Sequence, residues 1–156
     1  MALAHEELLQ EFQSFAVTAS SANSVMELIA QRVHEKVMRY NWVGFYLVDP
    51  ADPVALRIGP FAGSFTPHAR IPINTGLCGA AASSGETIVV PDVSKDSRYF
   101  AGSPLVKSEI VVPIFAHHKL TAELDIDSYF TDTFTKPEQD FVEACASVVG
   151  NYLERH

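Results

Sequence analysis

Trp42-Val43-Gly44-Phe45-Tyr46-Leu47-Val48 is the stretch that settles the fold class. It is aromatic and β-branched without a charged break, and reads as a buried strand. Upstream lie two helical patterns. In the first, Leu8, Leu9, Phe12, Phe15 and Ala16 share one face. In the second, Ser24 and Glu27 make a capping box, and Val25, Leu28, Ile29, Val33, Val37 and Tyr40 form the apolar stripe. Downstream, Asp49-Pro50-Ala51-Asp52-Pro53 is a turn. Strand patterns follow at 54–58, 69–72, 87–90, 109–115 and 120–126, with a hairpin turn over 116–119. Gly76 to Ala82 starts a short helix, and 92–107 is a long irregular stretch of the kind that often carries function. The chain closes on a helix with Thr135 as cap, Pro137 in its first turn and Glu138 completing a second capping box. Its apolar face is Phe141, Val142, Cys145, Val148, Val149, Tyr152 and Leu153. Helices, then strands, then a helix predict one α+β domain over 1–156, a mainly antiparallel twisted sheet flanked by helices.

The 156 residues carry a formal net charge of -8, which repels phosphate backbones and anionic lipid heads. Neither a nucleic acid nor a membrane is therefore an expected partner; a cationic or zwitterionic small molecule is. The N-terminus has no basic segment followed by an apolar run, and no window reaches the roughly 20 apolar residues of a membrane span. Cys78 and Cys145 form no CxxC pair and no metal-ligand spacing, so a reducing, cytoplasmic compartment without a metal or other cofactor is the simplest expectation.

A set of blocks then narrows the reading: Asn41 to Leu47, Gly59-Pro60-Phe61, Gly76-Leu77-Cys78-Gly79-Ala80-Ala81, Pro91-Asp92-Val93, Ser108 to Pro113, and Leu124-Asp125-Ile126-Asp127-Ser128. In this order and at this spacing they resemble the free methionine-(R)-sulfoxide reductases, a branch of the GAF domains. The resemblance covers nearly the whole chain. It implies the GAF fold, with a ligand pocket under a loop, lined in that family by three cysteines and a group of acids. Glu109, Asp125 and Asp127 match the acids, and Trp42 and Tyr46 match aromatics of the pocket wall. Of the cysteines only Cys78 is matched. The catalytic cysteine's place falls on Gly102 and a partner cysteine's on His68.

Sulfoxide reduction needs a thiolate to attack sulfur, an acid to protonate the departing oxygen, and a second thiol to resolve the intermediate as a disulfide. Glycine and histidine supply neither thiol step. The acids keep a use without redox chemistry. Asp125 and Asp127, two apart on a strand, point to one face, and with Glu109 on a neighbouring strand they can hold an ammonium group. Glu123 shares their parity, where the family usually has an apolar residue; it is expected at the exposed rim. Cys78 at a helix N-terminus is either a residual reactive thiol or a small packing residue. Trp42, Phe45 and Tyr46 can stack on a ligand cation, with core packing as the alternative for Phe45. His117 and His118 are expected to point apart into water, His5 and His34 to lie on helix surfaces, and His68 with Cys78 offers too few ligands for structural zinc. The first expectation is a ligand-binding domain of reductase ancestry. A weak reductase working through Cys78, and a homodimeric interaction domain with a vestigial pocket, are the alternatives.

Overall fold

The structure is a computed structural model that describes residues 2–65, 67–100 and 103–156. Two helices, α1 (Leu3–Thr18) and α2 (Ala22–Lys36), lead into β1 (Trp42–Asp49), β2 (Asp52–Gly63) and β3 (Arg70–Pro72). Helix α3 (Gly76–Ser84), β4 (Ile88–Val90), β5 (Ser108–Ala116), β6 (Lys119–Ser128) and α4 (Lys136–Arg155) complete the order. The six strands pair in the order β3-β2-β1-β6-β5-β4, and every pairing is antiparallel. The α+β class and the antiparallel sheet expected from the sequence are both present.

Strand alternation splits the core in two. Val43 and Phe45 of β1, Ile110 and Val112 of β5, and Leu124 and Ile126 of β6 face the layer of α1, α2 and α4, where they meet Phe12, Ile29 and Phe141. The opposite face carries Trp42, Tyr46 and Val111 beneath Leu77, Cys78 and Ala81 of α3. Phe45 is thus core, and Tyr46 faces the other side.

Several local expectations change. β2 runs on to Gly63 through a register shift between Gly44 and Tyr46 that takes up one extra residue at Gly59-Pro60, so the strand bulges instead of ending. Helix α2 begins at Ala22, two residues before Ser24: Ser21 is the cap, and its Oγ accepts from the Ser24 amide at 3.1 Å. The second capping box does not form, since Thr135 makes no side-chain cap bond. Glu138 instead accepts from the Tyr40 hydroxyl at 2.9 Å and lies 3.5 Å from His5 Nε2. His5 is accordingly buried, stacked on Phe141 with ring centroids 4.0 Å apart, and not on the surface as its position suggested. Phe15, counted in the α1 stripe, is exposed. His117 and His118 do point into water: both hold left-handed backbone, φ 52 and 64, in the two-residue turn joining β5 to β6.

Candidate functional site

The register of three central strands sets the acids side by side. Asp127 pairs with Trp42 on β1 and with Glu109 on β5. Asp125 pairs with Gly44 and Val111, and Glu123 with Tyr46 and Pro113. All of these side chains leave the sheet on the side away from α1, α2 and α4. Gly44 is needed in that row, because a Cβ there would enter the six-membered ring of Trp42. Helix α3 roofs the cluster. Its first residue, Gly76, has φ 68, and Gly79 lets the helix approach Asn74 so closely that a Cβ would lie 2.5 Å from the Asn74 carbonyl carbon.

Between sheet and roof lies a cavity of about 30 Å³, room for a water or two. Its walls include Trp42, Tyr46, Cys78, Glu109, Asp125 and Asp127, which are the positions picked out from the sequence. His68 lines it as well, with Phe65, Tyr99 and Phe100 on the outer side. No Lys or Arg is among the described lining residues. The indole of Trp42 is flanked by Phe61 and Phe65, each within 20° of parallel, so in this state its faces are shared with those rings. The Tyr46 hydroxyl donates to the His68 carbonyl at 3.3 Å, and the His68 ring meets Phe100 edge-on at 4.4 Å. Gly102 lies outside the described residues, so the position that matches the family's catalytic cysteine is not placed.

Glu109, Asp125 and Asp127 each bring a carboxylate oxygen within 4.8 Å of the other two. All three side chains are buried. Loss of water raises each of their pKa values, and mutual repulsion adds to the rise for Glu109 and Asp127. Asp125 is raised least, to about 6: burial lifts it, while hydrogen bonding from Glu109 and the Cys78 thiol holds it down. Asp125 Oδ1, Asp127 Oδ1 and Trp42 Nε1 are buried with no hydrogen-bond partner among the described residues.

One expectation fails here, and one alternative loses support. Glu123 is not at a rim: it is fully buried, and neither carboxyl oxygen has a partner among the described residues. Burial is the main cause that pushes its pKa up to about 9. Parity gave its face, but only the roof of α3 decides that this end of β6 is covered. Cys78 does not gain acidity from its helix N-terminus. Its Sγ donates to Asp125 Oδ2 at 3.9 Å, and burial first, then the neighbouring acids, raise the thiol well above its ordinary value. Both cysteines are free. Phe65, Tyr99 and Phe100 were not singled out as cavity wall, since they sit in irregular segments without periodicity; the only signal was the length of the 92–107 stretch that holds the last two.

The GAF domain family matches residues 21–153. The chain is a member of the GAF family. Among its relatives is the free methionine-R-sulfoxide reductase of Saccharomyces cerevisiae, 33% identical over 94% of this chain and 80% of the yeast protein. The free methionine-R-sulfoxide reductase of Neisseria meningitidis, solved with its substrate, superposes with a TM-score of 0.90 at 31% identity, covering 96% of this chain and 88% of that one. The reduced form of the Staphylococcus aureus enzyme gives 0.87 at 32% identity over 96% and 94%. This GAF domain is thus related to free methionine-R-sulfoxide reductases in sequence and in fold. Among its described residues, no helix is long and apolar enough to cross a membrane.

Proposed function

We propose that this GAF domain binds a small zwitterion, an amino acid or its sulfoxide, and does not run the three-cysteine reduction. The observation that carries the reading is the buried trio of Glu109, Asp125 and Asp127 facing a cavity whose described lining has no Lys or Arg. Such charge is costly to bury unless a cation or protons compensate it, and a ligand ammonium does so with charge-assisted hydrogen bonds. The unpartnered indole N–H of Trp42 offers a donor for the ligand's carboxylate or sulfoxide oxygen. Tyr46 and Trp42 supply the apolar wall. The cavity is smaller than an amino acid, so binding displaces the outer wall of Phe65, Tyr99 and Phe100. With both thiols free, the protein suits a reducing cytoplasm.

Thermal shift against amino acids and their sulfoxides tests this, since a ligand of the native state raises the melting temperature. Methionine sulfoxide or a close analogue should stabilise the wild type. The double variant Asp125→Asn, Asp127→Asn should lose the shift and keep the fold. No shift with any amino acid, or an unchanged shift in the variant, removes the reading.

A second reading keeps the relatives' activity, with Cys78 attacking the sulfoxide and an external thiol resolving the product. It is favoured by Cys78 lying on the cavity wall beside Asp125. It is weakened by the thiol's raised pKa, because the thiolate is the attacking form. Turnover of free methionine-(R)-sulfoxide with thioredoxin or dithiothreitol separates the two.

A further inference from the structure

The geometry points to a second use of the acid cluster: Glu109, Asp125 and Asp127 form a binding site for a calcium-sized divalent cation. The inference shares its residues with the proposed amino-acid site but does not depend on an amino acid binding there.

The three carboxylate oxygens lie within 4.8 Å of one another. Calcium takes oxygen ligands at about 2.3–2.6 Å, so oxygens on opposite sides of the ion stand roughly 4.6–5.2 Å apart at most. The cluster already meets that limit. Magnesium, with ligands at about 2.0–2.1 Å, demands near-octahedral geometry and gives up its waters reluctantly, which a buried all-carboxylate site suits less well than calcium's flexible coordination. The donors are carboxylate oxygens, which select hard cations over zinc or copper. The trio is preformed: Glu109 and Asp127 are direct cross-strand partners, and Asp125 lies two residues along β6.

An independent observation asks for a ligand. Asp125 Oδ1 and Asp127 Oδ1 are buried without a partner among the described residues, and both side chains line the cavity. At about 30 Å³ the cavity suits an ion with a water or two, which is much less than an amino acid needs. Water would fill the remaining coordination positions.

Terbium(III), a luminescent ion of calcium-like size, is the probe. Trp42 is the only tryptophan of the chain and lies in the cavity wall, so exciting it sensitises terbium only when the ion sits beside it. The expected result is saturable emission at one ion per chain. Calcium should displace the probe far better than magnesium. Glu109→Gln and Asp127→Asn should each weaken binding by on the order of 10-fold or more. No sensitised emission, unchanged affinity in both variants, or equal displacement by magnesium overturns the inference. A second measurement needs no variant: calcium should raise the wild-type melting temperature more than magnesium at equal ionic strength, and equal shifts overturn the inference too. Amino-acid binding is measured separately in chelator. Terbium binding without amino-acid binding sinks only the zwitterion reading, and the converse sinks only the cation site.

Discussion

Replacing Glu123 by Gln should stabilise the protein, and by more as the pH rises. Burial pushes the carboxyl's pKa up to about 9 in the folded chain, against an ordinary value of 4.5. Between those values the folded state holds a proton that the unfolded state has released. Unfolding is therefore favoured progressively as pH rises from about 4.5 to 9, at about 1.4 kcal/mol per pH unit. At pH 7 the group is about 2.5 pH units into that window, a cost of roughly 3 kcal/mol. A glutamine has nearly the shape and polarity of the neutral acid but does not titrate, so the two proteins should be nearly equal at pH 4.5. Urea unfolding in metal-free buffer at pH 5, 6, 7 and 8 reads the difference. The gap should widen by roughly 4 kcal/mol from pH 5 to pH 8, with the variant the more stable. Parallel stability curves would refute the argument, because they would mean that Glu123 ionises in the folded state as easily as in water.

Other outcomes follow from the same packing. Both thiols should resist alkylation in the native protein and react after denaturation, since Cys78 and Cys145 are buried and both are raised in pKa by burial; fast native labelling of Cys78 would show that the roof of α3 opens readily. Gly44→Ala should cost about 1–3 kcal/mol and shift the fluorescence of Trp42, and an unaltered melt would show that the indole does not occupy that space. Val17 on α1 is 76% exposed beside a groove formed with Ala144 and Val148 of α4, so a homodimer through these helices should dissociate in Val17→Glu; a monomeric wild type by analytical ultracentrifugation rules the dimer out. Adding Gly102→Cys and His68→Cys together should give sulfoxide turnover with a reductant, reduced by about 10²-fold if the loop is displaced by ~1 Å; no gain despite sulfoxide binding would show that position 102 is not presented to the ligand.

The sheet explains why one domain can hold so much buried acid. Glu109 and Val111 of β5 and Glu123, Asp125 and Asp127 of β6 leave the sheet on the α3 side and the even residues between them face the helix layer, so Ile110, Leu124 and Ile126 anchor the strands that present the acids. The burial that holds the strands in place is supplied on one face, and the polar cluster sits on the other.

The sequence by itself determined the element order and the class of the sheet, because helical and strand periodicities are local properties of the chain. It also determined that Asp125 and Asp127 share a face, since alternation along a strand needs no partner. The blocks of resemblance pointed to the GAF family, and Trp42, Tyr46, Cys78, Glu109, Asp125 and Asp127 do meet at one cavity. Tertiary structure alone decided which surfaces are covered. Glu123 and His5 look like surface residues in their own segments, yet α3 roofs the first and α4 stacks Phe141 on the second. Glu138 fits a local capping box but is taken by Tyr40 and His5 from distant parts of the chain. The acidity of Cys78 follows the same rule: a helix N-terminus lowers a thiol's pKa only while water or a cation supports the charge, and here burial among carboxyl groups outweighs it. Burial depends on contacts between segments far apart in sequence, so no local pattern could have set it.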